Sequence, residues 1–184
     1  MKRMRKFLMT ILAASTILMT GCGNTSVLEE YSFGYTQLKS GNSEVYLMSP
    51  MEMGKSQNND GTVLYGANDS HWWMAAESRP ASEITVQQWA EKPISLLEQT
   101  HYSDLQTKVS ETTVLDRPAT EVRCTFNLNV QGHAVQMVGQ SLFFEDNGQI
   151  WDITYLYNPA DPVGKEVIDH VFGQIKQFSK HERG

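Results

Sequence analysis

Between residues 120 and 130 the chain alternates without interruption. Val122, Cys124, Phe126, Leu128 and Val130 are apolar, and Glu121, Arg123, Thr125, Asn127 and Asn129 between them are polar. A period of two predicts a strand with one apolar and one wet face. The surrounding stretch, 104–157, predicts four such strands in sequence. Short turns join them at Asp116-Arg117-Pro118, Gln131-Gly132 and Asn147-Gly148, and the last is the strongest hairpin signal in the chain. A meander of this kind needs a cover for its apolar face, and helical segments on either side can supply one.

Ahead of the meander, residues 31–38 and 44–48 read as two strands around a Gly41-Asn42 turn. Residues 49–61, with Pro50, Gly54 and the polar run Gln57-Asn58-Asn59-Asp60-Gly61, read as a loop. Residues 62–66 and 71–77 read as two further strands. Thr85 and Gln88 form a capping box that opens a helix. Val86, Trp89, Ile94 and Leu97 can share one stripe of it, and Pro93 predicts a kink or break. At the other end, Asp161 is an N-cap with Pro162 at the first helical position. Val163, Val167, Ile168, Val171, Phe172, Ile175 and Phe178 then recur at steps of three and four. The expected class is α+β: an antiparallel sheet packed with amphipathic helices.

The beginning of the chain follows other rules. Lys2, Arg3, Arg5 and Lys6 precede a 13-residue apolar run from Phe7 to Met19. That run is too short to span a bilayer and has the build of a signal peptide. Residues 1–21 hold four of the 15 basic residues and none of the 21 acidic ones, so removing them leaves a formal charge of 11 − 21 = −10. Such a balance argues against nucleic acid and against a polybasic membrane patch. The remaining length suffices for one true core without a disulfide. The expected organisation is a leader over 1–21, a modified N-terminus and tether over 22–29, and a single domain over 30–184.

Met19-Thr20-Gly21-Cys22 closes the leader. It resembles the lipobox of bacterial lipoproteins: an aliphatic residue, two small residues, then cysteine. The resemblance implies cleavage between Gly21 and Cys22, a diacylglycerol on the Cys22 sulfur, and a membrane as one partner. A thiol suits that chemistry because sulfur is the nucleophile available near neutral pH, and two acyl chains anchor stably. Gly23 follows where an aspartate would mark inner-membrane retention. A second resemblance rests on the order of elements and three short stretches: Val45-Tyr46-Leu47-Met48-Ser49-Pro50, Leu115-Asp116-Arg117-Pro118-Ala119-Thr120-Glu121, and Ile175-Lys176-Gln177-Phe178. Together they are similar to the PsbP/Mog1-type α/β/α sandwich, which includes small bacterial lipoproteins. That resemblance implies a fold and an accessory or binding role, and carries no active site across.

No catalytic constellation stands out. His71, His101, His133, His170 and His181 show no metal-ligand spacing. Asp169-His170 beside Glu166 reads as a solvated helix face. Ser141 lacks the second glycine of a nucleophile elbow and sits mid-strand. Ser70 and His71 are neighbours in sequence, which does not make them face each other. Cys124, on the apolar side of its strand, reads as a core thiol. The paired acids Glu29-Glu30 and Glu145-Asp146 fall near a tether and a turn, where solvation explains them. Trp72-Trp73 would point to opposite faces of a strand, which makes them a candidate binding surface, although helices on both sides would bury both rings. Trp151, Ile153, Tyr155 and Tyr157 read as one core-facing row. No motif for a cofactor is present. The reading is an envelope lipoprotein with a non-enzymatic binding or accessory role, its partner an unknown protein or small ligand. The alternatives are an envelope hydrolase whose triad draws on His71 or His133, and a purely structural lipoprotein.

Overall fold

The computed structural model describes residues 27–57, 62–94, 102–114 and 116–177. Cys22 and Gly21 therefore lie outside the described residues, as do Leu97, His101, Leu115, Phe178 and His181. After a 3-10 turn at Val27–Glu30, a hairpin forms from β1 (Gly34–Ser40) and β2 (Ser43–Ser49). It stands apart as a two-stranded sheet. Then come β3 (Gly54–Gln57), β4 (Val63–Asn68), β5 (Trp72–Pro80), helix α1 (Val86–Ala90), β6 (Tyr102–Val114), β7 (Arg117–Val130), β8 (His133–Asp146), β9 (Gln149–Tyr157) and helix α2 (Pro162–Gln177). Strands β3 to β9 make one antiparallel sheet in the order β3-β4-β5-β9-β8-β7-β6. The class is α+β, with a large antiparallel sheet and two helices.

The four-stranded meander is β6 to β9. Val122, Cys124, Phe126 and Leu128 are buried on one face of β7, as their alternation requires. At the β8–β9 turn both Asn147 (φ 50) and Gly148 (φ 78) are left-handed, the geometry a two-residue hairpin needs to match strand twist. β9 pairs with β8 on one side and with β5 on the other, Trp73 opposite Leu156 and Glu77 opposite Asp152. This second pairing ties the N-terminal half of the chain to the meander.

Both faces of the sheet are covered. On one, α2 lays Val167, Ile168, Val171, Phe172 and Ile175 against Met74, Leu142, Ile153 and Tyr155, and the β1–β2 hairpin adds Leu38, Val45 and Leu47. Tyr155 meets Phe172 edge-on, with centroids 5.8 Å apart. On the other, Trp89 and Ala90 of α1 sit over Val122, Phe143 and Ile150. Ile94 joins Cys124, Phe126 and Leu156 beside them. Each large apolar side chain withdrawn in this way contributes about 1.5–3 kcal/mol.

Three expectations need correction. The loop read over 49–61 contains β3. Its residues are exposed on both faces, so no apolar alternation marks it, and pairing with β4 alone makes it a strand. The first strand begins at Gly34 rather than Tyr31; Tyr31 and Phe33 precede it and pack at the margin of the core. The helix opened by Thr85 has its capping box but ends at Ala90. Pro93 cannot donate back to the Trp89 carbonyl, and it biases Lys92 away from helical geometry. Ile94 then adopts φ 59, a costly conformation for a β-branched residue, with its side chain held in the core.

Helix α2 begins so close to the β4–β5 turn that a Cβ on Gly164 would lie 2.2 Å from the His71 carbonyl oxygen. Gly173, in the same helix, has nothing within 4 Å. Gly164→Ala should therefore destabilise the protein by about 1–3 kcal/mol in urea unfolding, as overpacking does. Gly173→Ala should stabilise it by about 0.5–1 kcal/mol. Equal midpoints for the two variants would refute this docking.

Candidate functional site

Three groups of side chains outside the plain apolar core carry chemistry. The first lies where the β4–β5 turn meets the start of α2. Asp69 Oδ1 accepts from the His71 and Trp72 amides at 2.7 and 3.1 Å, which fixes the turn. Asp69 Oδ2 accepts from the Tyr31 hydroxyl at 2.7 Å. Burial, and then this carboxylate, push the Tyr31 phenol well above its ordinary range. Asp161 Oδ1 accepts from the Val163 and Gly164 amides and caps α2. Its Oδ2 lies 2.8 Å from His71 Nδ1. An acid thus meets a histidine, as a triad would require. Among the described residues, however, no serine, threonine or cysteine hydrogen-bonds to His71. Asp161 spends its other oxygen on the helix. The arrangement does the work of a clamp: two carboxylates hold an aromatic, a turn and a helix end together.

The second group is buried between α1 and the sheet. Glu77 and Asp152 are direct cross-strand neighbours, 4% and 0% exposed. Arg79 binds Glu77 Oε1 through Nη2 at 2.7 Å and Nε at 2.8 Å, and stacks over Trp89 at 4.8 Å. Asp152 Oδ1 accepts from Thr154 at 2.7 Å, and Thr154 in turn meets Ser141 at 2.6 Å. Asp152 Oδ2 has no hydrogen-bond partner among the described residues. Burial pushes the Asp152 carboxyl up to about 7, with the Glu77 charge adding to the rise and the Thr154 bond opposing it.

The third is an open groove of about 620 Å³ where α1 overhangs the β6–β7 and β8–β9 turns. Ile84, Val86 and Ile150 form its apolar side, and Glu111, Arg117 and Glu145 stand on its polar side. Arg117 Nη2 reaches Asp146 Oδ1 at 2.7 Å. Asp146 Oδ2 accepts from Ser43 at 2.6 Å, and Ser43 accepts from the Trp151 indole at 2.7 Å. The expectation that solvation explains Glu145-Asp146 therefore holds for exposed Glu145 and fails for Asp146, which is buried. Alternation puts Asp146 on the face turned to the β1–β2 hairpin, where Ser43 and Arg117 replace water.

The remaining candidates are dispersed. His133 is exposed at the β7–β8 turn. His170 packs on Phe33 at 4.7 Å between centroids, and its neighbour Asp169 is bound by Lys165. Ser141 is buried mid-strand with Thr154 as its partner. Cys124 is 1% exposed, and burial pushes its thiol up to about 11. Trp72 is buried on the α2 face, while Trp73 packs half-buried on the α1 face. Among the described residues no three His, Cys, Asp or Glu side chains converge as metal ligands, and no helix is long and apolar enough to cross a membrane.

No family model and no curated protein matches this chain. Among solved structures, the Pseudomonas aeruginosa protein PA94, of unknown function, superposes with a TM-score of 0.40 at 11% identity, covering 78% of this chain and 92% of that one. LpqN of Mycobacterium tuberculosis, a protein involved in cell envelope biogenesis, gives 0.37 at 9% identity, covering 78% and 76%. Both likenesses are too distant to place the chain in either protein's family.

The buried acid gives a pH test. Asp152 favours its neutral form in the fold, at about 7 against 3.8 for an ordinary aspartate. Its contribution is complete below the lower value and is lost as pH rises towards the upper one. Asp152→Asn keeps a neutral side chain at every pH. Its advantage over wild type in urea unfolding should grow from about pH 5 to about pH 8, reaching a few kcal/mol. A constant difference across that range would show that Asp152 is already charged in the fold.

Proposed function

We propose that this chain is a bacterial envelope lipoprotein, cleaved after Gly21 and lipidated at Cys22. Its α+β domain over 30–184, of PsbP/Mog1 type, acts outside the cytoplasm as a non-enzymatic binding or accessory module. The observation that carries this reading is the leader: four basic residues, a 13-residue apolar run, and Met19-Thr20-Gly21-Cys22 at its end. The structure adds support for binding over catalysis. His71 and Asp161 spend their contacts on a turn and a helix cap, Cys124 and Ser141 are sealed, and an open groove is available at the other end of the sheet. Helices on both faces of an antiparallel sheet agree with the proposed family.

Cys22→Ser tests the anchor. In the native host, the wild-type chain should fractionate with membranes and show the mass of a diacylglyceryl-modified Cys22. The variant should keep its leader mass, carry no lipid and be partly released. Identical masses and fractionation for the two would reject the lipobox. The binding role is tested by native mass spectrometry of the purified chain, followed by crosslinking in cells. The hydrolase alternative would have to build on the His71–Asp161 contact. Turnover of ester or peptide substrates that His71→Ala abolishes would replace the binding reading with that one.

A further inference from the structure

The groove beside α1 has a chemistry more specific than openness. Its volume, about 620 Å³, falls within the range of sites that hold a small ligand or a few side chains. One wall is apolar, from Ile84, Val86 and Ile150. The cation on its lining, Arg117, is already bound to Asp146. Glu111 and Glu145 are exposed and have no ion-pair partner among the described residues. Their positions are fixed by register. Glu111 pairs with Thr120, Thr120 with Phe143, and Glu145 lies two residues beyond Phe143 on β8. Phe143 faces Trp89, so both carboxylates rise from the α1 side of the sheet. Two strand spacings and two residues of rise separate their backbones by about 12 Å. That is close to the span of residues i and i+4 in an extended chain.

We infer that this groove binds a short extended basic segment of a partner protein, with an apolar side chain against Ile84 and Val86 and lysine or arginine residues at Glu111 and Glu145. The inference rests on the binding-module reading and names the partner's chemistry. Charge complementarity selects the occupant. An acidic segment would meet two unpaired carboxylates, and a polyamine would leave the apolar wall without a partner. In an extended segment, residues i, i+2 and i+4 point the same way, so basic residues at i and i+4 can reach both carboxylates from one side. The chain's formal charge of −6 also favours encounter with a basic partner.

The test uses the full chain in dodecyl maltoside micelles and two blocked peptides, Lys-Ser-Val-Ser-Lys and Glu-Ser-Val-Ser-Glu. Each is titrated to about 5 mM, the regime of weak complexes, while backbone amide shifts are followed by NMR. The lysine peptide should shift Ile84, Val86, Ala119 and Ile150 saturably, and the glutamate peptide should not. The double variant Glu111→Gln/Glu145→Gln, its fold verified by its own spectrum, should bind the lysine peptide about 3- to 10-fold more weakly, as the loss of two exposed ion pairs predicts. The inference is overturned by absent saturable shifts, by shifts on another face, by equal shifts from both peptides, or by undiminished binding to the double variant. Each of those results leaves the anchor and co-purification experiments untouched, because neither involves Glu111 or Glu145.

Discussion

Everything in this fold depends on β9 being paired on both sides. It follows β8 through a tight turn, and it also takes up β5, a strand that closes more than sixty residues earlier in the chain. Without that second ladder the meander would have no connection to β3–β5. The β1–β2 hairpin would lose Trp151 and Gln149, which hold Ser43 and Ser40. The location has a cost in polarity. A strand at the centre of a sheet covered on both faces has no wet side, so its polar side chains must find partners inside. Thr154 finds Ser141 and Asp152. Asp152 finds Thr154 with one oxygen, and the most economical way to bury the other is to keep the carboxyl neutral.

The same fact explains what sequence patterns could and could not show. β7 was legible because it lies one strand in from the edge and keeps a true wet face, with Arg123 exposed and Thr125 half-buried. The Asn147-Gly148 turn and the Thr85–Gln88 capping box were legible because they are local chemistry. The row from Trp151 to Tyr157 is legible as core, but Asp152 and Thr154 between those residues had no visible sign of burial. Nor had Glu77. Whether an acid in a strand faces water or protein is decided by what lies over it, and alternation carries no information about that cover. β3 is the opposite failure. It is a strand by pairing alone, with no buried face to leave a trace. The burial of Asp146 leaves no local trace, because a turn residue is ordinarily solvated and its cover comes from Arg117 and from Ser43 of the β1–β2 hairpin, about a hundred residues away in sequence.

The two ends of the sheet have been finished differently. At the β4–β5 end each carboxylate oxygen of Asp69 and Asp161 is in use, and Tyr31, held by one of them, packs against Phe33 and Trp72. Carboxylates so fully engaged fix geometry and leave little to offer a ligand. At the opposite end, Arg117 and Asp146 satisfy each other while the groove above them stays open. Polar groups that are exposed, unpaired and fixed on a sheet cost the protein little in the free state and remain available for recognition.

Helix α1 connects the groove to the buried acids. At five residues it is too short to hold its shape without packing, so its position is set by Trp89. That ring packs on Phe143 and lies under the Arg79 guanidinium. Arg79 is itself fixed by Glu77, whose cross-strand neighbour is Asp152. The wall of the groove is therefore set through a chain of contacts that ends on a titrating carboxyl. Charging Asp152 places a second negative charge beside Glu77 and draws on the same guanidinium that positions Trp89.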